Sequence, residues 1–178
     1  WNYEESSFNR ATSSNRQIAS TIKPLIYYLA LNSGFTPTTK LLSEPTTFFI
    51  KDYGEYSPSN NNDIYPYDEI TMIQALGVSD NIYAVKTHMF LGNDSLINVA
   101  RRVGITEKLE AVPSLPLGTN EINIIQMAAG YASFANLGYK VDGHLIEKVI
   151  DGNNNVIYER SNQKDLVLNS SLVYILNN

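Results

Sequence analysis

The 178-residue sequence predicts an α+β fold that is mainly helical. Two observations carry this. About six stretches set apolar residues at helical spacing between capping signals. At most about four short stretches read as strands, too few for a large central sheet.

In chain order, the sequence opens at Trp1-Asn2-Tyr3 without an initiating methionine, and is expected to be a piece of a longer protein. Residues 1 to 17 read as an irregular polar approach to the first helix. That helix runs from about Ser20 to Asn32, with Pro24 tolerated in its first turn, an apolar face of Leu25, Ile26, Leu29 and Ala30, and Gly34 as its stop. Thr46 to Ile50 is the best strand candidate, punctuated by Tyr53-Gly54, and Ser57 to Asp63 follows as an exposed loop. Thr71 and Gln74 have the spacing of a capping box and open a short helix ending at Gly77. After a polar junction at Val78 to Asn81, a helix with an apolar face of Ile82, Val85, Met89 and Phe90 closes at Gly92. The next one starts near Asp94 or Ser95, buries Leu96, Val99 and Val103, and stops at Gly104.

Pro113 to Gly118 reads as a proline-punctuated loop. Asn123 and Gln126 look like another box, opening a helix so apolar (Ile124 to Ala135) that it is expected to be central to the core and capped by Gly138. Leu145 to Ile150 and Val156 to Glu159 read as a hairpin across Asp151 to Asn155, and Asn169 or Ser170 caps a last helix. There is no internal repeat.

Composition narrows the function classes. With 43% hydrophobic and 17% charged residues the chain is an ordinary globular sequence of one-domain size. A net charge of −5 with scattered Lys and Arg argues against a nucleic-acid partner. No apolar run approaches a membrane span and no signal peptide is evident. The absence of cysteine excludes disulfides and thiol catalysis. The two histidines, His88 and His144, lie far apart without ligand-spaced partners, which argues against a metal, and no cofactor is expected. A serine nucleophile in this chain therefore finds its base more readily in lysine than in histidine.

Ser20-Thr21-Ile22-Lys23 supplies that pair. Residues three apart share a helix face, so the Ser20 hydroxyl and the Lys23 amine can meet, and a desolvated lysine can take a serine's proton. The spacing alone is weak, since Ser161 to Lys164 repeats it in a polar stretch. Ser79-Asp80-Asn81 is the second stretch with chemical content. On a turn between helices its hydroxyl can relay a proton and its amide can bind a peptide carbonyl. The plainer alternative is that Ser79 or Asn81 caps the helix at Ile82. Ser13-Ser14-Asn15 and Ser59-Asn60-Asn61 match the same pattern.

The order of these segments resembles one family. Phe8-Asn9-Arg10-Ala11-Thr12, Arg16-Gln17 and Ser20-Thr21-Ile22-Lys23-Pro24 are similar to the lead-in and nucleophile motif of the transpeptidase domain of bifunctional class A penicillin-binding proteins. Ser79-Asp80-Asn81-Ile82 with Ala84-Val85-Lys86 is similar to its second motif. Ala100 to Ile105, Pro113 to Thr119 and Met127 to Asn136 resemble its later landmarks. The likeness runs through nearly the whole chain and distinguishes it from the β-lactamases, which share only the short motifs.

The resemblance implies a partial transpeptidase domain over residues 1–178: the helical subdomain of the penicillin-binding-protein/serine β-lactamase-like fold, with most of the central sheet and the glycosyltransferase domain outside this chain. It implies that Ser20 attacks the penultimate D-Ala carbonyl of a peptidoglycan stem peptide. Lys23 is the general base, Ser79 relays the proton to the leaving D-alanine, and Asn81 orients Lys23 and the substrate amide. Stem peptides, β-lactam antibiotics and the remainder of the domain are the implied partners, and the outer face of a bacterial plasma membrane the implied location. The chain departs from the family pattern where Ile18-Ala19 replaces the usual Pro-Gly, which is expected to loosen the turn into the helix. It also holds no Lys-Thr/Ser-Gly; Lys86-Thr87-His88, inside a helix, is the nearest match. The fragment alone is therefore expected to be inactive or weak. The alternative function is a non-catalytic β-lactam-sensing or interaction module of the same fold.

Overall fold

In the computed structural model, residues 2–51, 53–161 and 164–178 are described. Residue Trp1 and the two middle residues of the Ser161 to Lys164 repeat lie outside them. The polar approach is more ordered than its sequence suggests. Asn9 accepts from the Ala11 and Thr12 N–H groups to open a one-turn helix, α1 (Arg10–Ser13). The strand β1 (Asn15–Gln17) then pairs antiparallel with a distant strand, Arg16 opposite Ile122. A 3-10 turn (Ala19–Ile22) leads directly into α2 (Lys23–Asn32), with Pro24 in its first turn as expected.

Helix α2 is buried on nearly every side: Ile26 and Tyr27 have no exposed surface, and even Lys23 is only 1% exposed. It packs against four later helices, which places the Ser20–Lys23 segment at the centre of the fold. Beyond it the chain forms β2 (Lys40–Ser43), β3 (Phe48–Ile50), β4 (Gly54–Tyr56), a 3-10 turn (Asn61–Asp63) and β5 (Asp68–Thr71). β3 lies within the expected Thr46 to Ile50 strand, whereas its partner β4 and the β2–β5 ribbon were not evident from sequence. The strands number eight among the described residues, always in two-stranded ribbons, so no large sheet forms within them.

Thr71 closes a full capping box with Gln74 at the start of α3 (Met72–Gly77). In α4 (Asn81–Leu91), burial extends around the helix to Tyr83, Ala84, Thr87 and His88, while Phe90 is 69% exposed and tilts against Phe35. The helix is thus a core element rather than the amphipathic one its spacing suggests. α5 (Asn93–Arg102) buries Leu96 and Val99, followed by buried Val103.

The Pro113 to Gly118 loop contains a 3-10 turn (Leu115–Leu117) and returns the chain to β6 (Glu121–Asn123), the partner of β1. Asn123 caps α6 (Ile124–Ala135) by accepting from Ile125 N–H, but Gln126 takes the Thr106 N–H instead of completing a box. This helix is not wholly interior: Met127, Gly130, Ser133 and Phe134 are buried, while Ile124, Ile125 and Tyr131 stand 43–60% exposed. The hairpin forms as β7 (Lys148–Ile150) and β8 (Val156–Glu159). Asn169 caps α7 (Ser170–Asn177), and its own N–H donates to the Tyr28 hydroxyl, tying the last helix to α2.

Candidate active site

The residues on either side of the α2 N-terminus are held in a tight conformation. Ala19 adopts a left-handed backbone with φ 47°, unusual for a residue with a side chain. Its N–H donates to the carbonyl of Gly118 at 3.0 Å, and Ile18 N–H reaches Asn120 in the same loop. The loosening expected from Ile18-Ala19 is therefore not found, because the loop before β6 pins this turn. On the other side, the Tyr131 hydroxyl of α6 donates to the carbonyl of Thr21 at 2.8 Å.

Ser20 emerges from this turn exposed. Its backbone N–H sits in the opening turn, where helix donors have no preceding carbonyl partner. Lys23 points the other way, into the protein. Its Nζ donates to the carbonyl of Ser79 at 2.6 Å, to Asn81 Oδ1 at 2.7 Å and to Ser79 Oγ at 3.0 Å, with the Asp80 carbonyl farther off at 3.4 Å. No hydrogen bond joins Ser20 and Lys23 side chains among the described residues; the link from Lys23 runs to Ser79 and Asn81. All four predicted residues nonetheless converge. Ser20, Ser79 and Asn81 line one open cleft of about 600 Å³, whose rim includes Ala19, Leu117 and the 59–62 loop, and Lys23 joins them through its hydrogen bonds to Ser79 and Asn81.

Ser79 is in its own left-handed conformation, φ 58°, which brings both its carbonyl and its hydroxyl to Lys23. Neither Ser79 nor Asn81 caps the following helix. Asp80 does, accepting from Tyr83 N–H at 2.7 Å, so its two neighbours remain available to the cleft. The second oxygen of the Asp80 carboxylate accepts from Ser43 Oγ at 2.6 Å and Asn60 Nδ2 at 2.7 Å. Asp80 is 2% exposed and Asn60 8%.

Burial is the dominant influence on Lys23. It lowers the ammonium to about 8 against the opposing pull of the Asp80 carboxylate. Proton counting then gives the arrangement its chemical meaning. An ammonium has three donors, matched by the three nearest acceptors. A neutral amine keeps two N–H groups for Ser79 O and Asn81 Oδ1 and turns a lone pair toward a hydroxyl. The site can thus hold a lysine near neutrality with a defined direction for accepting a proton.

Sequence reasoning missed Asn60, Ser43 and Gly118. Asn60 lay in one of the Ser-x-Asn matches in a stretch read as an exposed loop, Gly118 was read only as part of the Pro113 to Thr119 landmark, and Ser43 showed no local signal. Lys86, Thr87 and His88 lie within α4, as expected.

The sequence model described as penicillin binding protein transpeptidase domain matches residues 2–173. Penicillin-binding protein 2D of Bacillus subtilis is 49% identical over 97% of this chain, which covers 25% of that relative. Penicillin-binding protein 1A of Aquifex aeolicus is 34% identical over 93% of the chain and 23% of its own length. The chain thus spans about a quarter of these relatives. Among solved structures, penicillin-binding protein 1A of Haemophilus influenzae superposes with a TM-score of 0.86 at 26% identity, over 98% of this chain and 30% of that one. The imipenem acyl-enzyme complex of penicillin-binding protein A of Mycobacterium tuberculosis shares the fold at a TM-score of 0.80 and 19% identity, over 95% of this chain and 44% of that one.

Proposed function

This chain belongs to the penicillin-binding protein transpeptidase family, and from that premise we propose that it carries the nucleophilic half of a peptidoglycan D,D-transpeptidase acting through a Ser20 acyl-enzyme. The observation that carries the reading is the fixing of the buried Lys23 amine by Ser79 and Asn81, the two residues that share a cleft with Ser20.

In this mechanism neutral Lys23 receives the Ser20 hydroxyl proton as Oγ bonds to the penultimate D-Ala carbonyl carbon. The developing oxyanion is met by the Ser20 N–H, a first-turn donor. Collapse of the tetrahedral species breaks the peptide C–N bond, and the proton passes from Lys23 through Ser79 Oγ to the departing D-alanine nitrogen. An amine of a second stem peptide then attacks the ester carbonyl carbon; the C–Oγ bond breaks, the amine's proton passes through Ser79 and Lys23 to Ser20 Oγ, and a cross-link remains. β-Lactams acylate the same oxygen by ring opening, with no separate leaving group.

Residues 1–178 act here as a partial transpeptidase domain, completed by a Lys-Thr/Ser-Gly strand that supplies a second oxyanion donor. The complete protein works on the outer face of a bacterial plasma membrane. No helix among the described residues is long and apolar enough to cross a membrane.

Intact-mass spectrometry after incubation with a labelled penicillin tests the reading on this chain and on the full-length protein. One adduct on the full-length protein, lost in Ser20→Ala, is the expected result. An adduct that persists in Ser20→Ala, or none on the full-length protein, overturns it.

A further inference from the structure

Asn60 belongs to a loop without catalytic residues, yet its buried amide is bonded at both ends to the second motif. Its Oδ1 accepts from the N–H groups of Asn81 at 2.8 Å and Ile82 at 3.3 Å, the first two donors of α4. Its Nδ2 donates to Asp80 Oδ2 at 2.7 Å and to the carbonyl of Ile64 at 3.2 Å. Asp80 takes the third donor, from Tyr83. The N-terminus of α4 is therefore capped by two side chains bonded to each other, one of them arriving from 20 residues away.

We propose that Asn60 is a positioning residue for the acylation reaction: it clamps the 57–64 loop onto Asp80 and Asn81 and so fixes the Ser79 and Asn81 oxygens on Lys23. This rests on the functional reading above. A loop that only covered the surface would not need a buried amide with donors and acceptors all engaged. A cap that only stabilised α4 would not need to reach the carboxylate facing the catalytic amine. Any shift of Asn60 displaces Asn81 through its own peptide N–H, and Asn81 Nδ2 is held to the same loop through the carbonyl of Ser59 at 2.7 Å.

Electrostatics provides a readout that packing alone cannot imitate. Among the described residues the charged group facing Lys23 is Asp80. The tyrosines about it, Tyr27 on its own helix and Tyr83 on the facing one, are pushed upward by burial and stay neutral. In Asn60→Asp a second carboxyl sits against Asp80. At low pH the two share a proton that replaces the lost amide donor. As that proton leaves, the added negative charge holds Lys23 protonated, so the rising limb of acylation against pH moves upward.

The experiment measures second-order acylation of the full-length protein by a fluorescent penicillin from pH 6 to pH 10, normalised to the folded fraction by circular dichroism. Asn60→Ala is expected to slow acylation about tenfold to a hundredfold. Asn60→Asp, which retains shape and acceptor, is expected to shift the limb up by about one pH unit. If Asn60→Ala does not fold, Asn60→Asp decides. Wild-type rates and an unmoved limb in Asn60→Asp, with only the melting temperature lowered, overturn the proposal. Acylation that survives Ser20→Ala instead overturns the functional reading itself.

Discussion

Gly118 and Ala19 stand so close that a Cβ on the glycine would lie 1.9 Å from the Ala19 carbonyl oxygen. Gly118 also has φ 70°, a conformation disfavoured for any other residue. Because Ala19 N–H bonds to Gly118 O, the contact sets the turn from which Ser20 emerges. Gly118→Ala is expected to cost about 3 kcal/mol of stability and to slow acylation by roughly two orders of magnitude. Gly143→Ala, with nothing within 4 Å, is expected to stay within about 0.5 kcal/mol of wild type. Thermal melts and penicillin-acylation rates compare the two; equal effects would remove the argument.

Lys23 predicts two pH dependences of the same origin. Its ammonium loses its proton at about 8 in the folded chain because burial penalises the charged form. A general base must be neutral, so acylation is expected to rise through this pH and level off above it. The unfolded chain keeps that proton up to the ordinary lysine value of 10.5, so between about 8 and 10.5 it binds more protons than the folded one. Stability owed to this group therefore increases with pH across that window, from a minimum below it. Urea unfolding should show wild type gaining on Lys23→Met as pH rises from 8 to 10.5; parallel curves would mean that Lys23 is not held neutral.

Much of this architecture was legible because helix signals are local. Thr71 with Gln74, Asn123, Asn169 and Gly92 mark their boundaries within a few residues, and the structure places caps at each. Pairings between distant short segments were not legible: Lys40–Ser43 lacks a clear two-residue alternation and depends on Asp68–Thr71 for its partner. The convergence of Ser20, Lys23, Ser79 and Asn81 was visible as motif order, whereas the support beneath it was not. Ser79, Asp80 and Asn81 are all competent caps, and only the left-handed turn at Ser79 decides that Asp80 takes the role. Asn60 was obscured because its hydrogen bonds to Asp80 and Asn81 span 20 residues or more and further asparagines follow it.

Asp80→Asn is predicted to separate charge from structure. The carboxylate accepts on both oxygens, from Tyr83 N–H on one and from Ser43 and Asn60 on the other. An amide in either orientation turns a donor toward one of these donors, at a cost of about 2 kcal/mol or more. Removing the negative charge also removes the pull that opposes desolvation of Lys23. The acylation limb is therefore expected to move to lower pH, opposite to Asn60→Asp, while the melting temperature falls. A limb displaced upward would contradict the assignment of Asp80 as the charge felt by Lys23.

The exposed side of α6 leads to a prediction about association. Ile124 is 60% exposed and Ile125 47%, and Ile124 joins Met127, Ile122 and Tyr131 along an apolar groove of about 480 Å³ beside Thr21. Apolar surface of this kind next to the Ser20 turn favours coverage, and the residues themselves indicate how strongly. Burying an isoleucine side chain is worth about 2 kcal/mol, so replacing one with a polar residue should weaken association about tenfold or more. Sedimentation velocity on the 178-residue chain is expected to show concentration-dependent self-association that Ile124→Asn and Ile125→Asn each reduce, with the doubly substituted chain monomeric over the widest range. Because both side chains project from the outer face, neither change should lower the melting temperature appreciably. A monomeric wild type at high concentration, or association indifferent to both substitutions, would show that this face does not drive contact between chains.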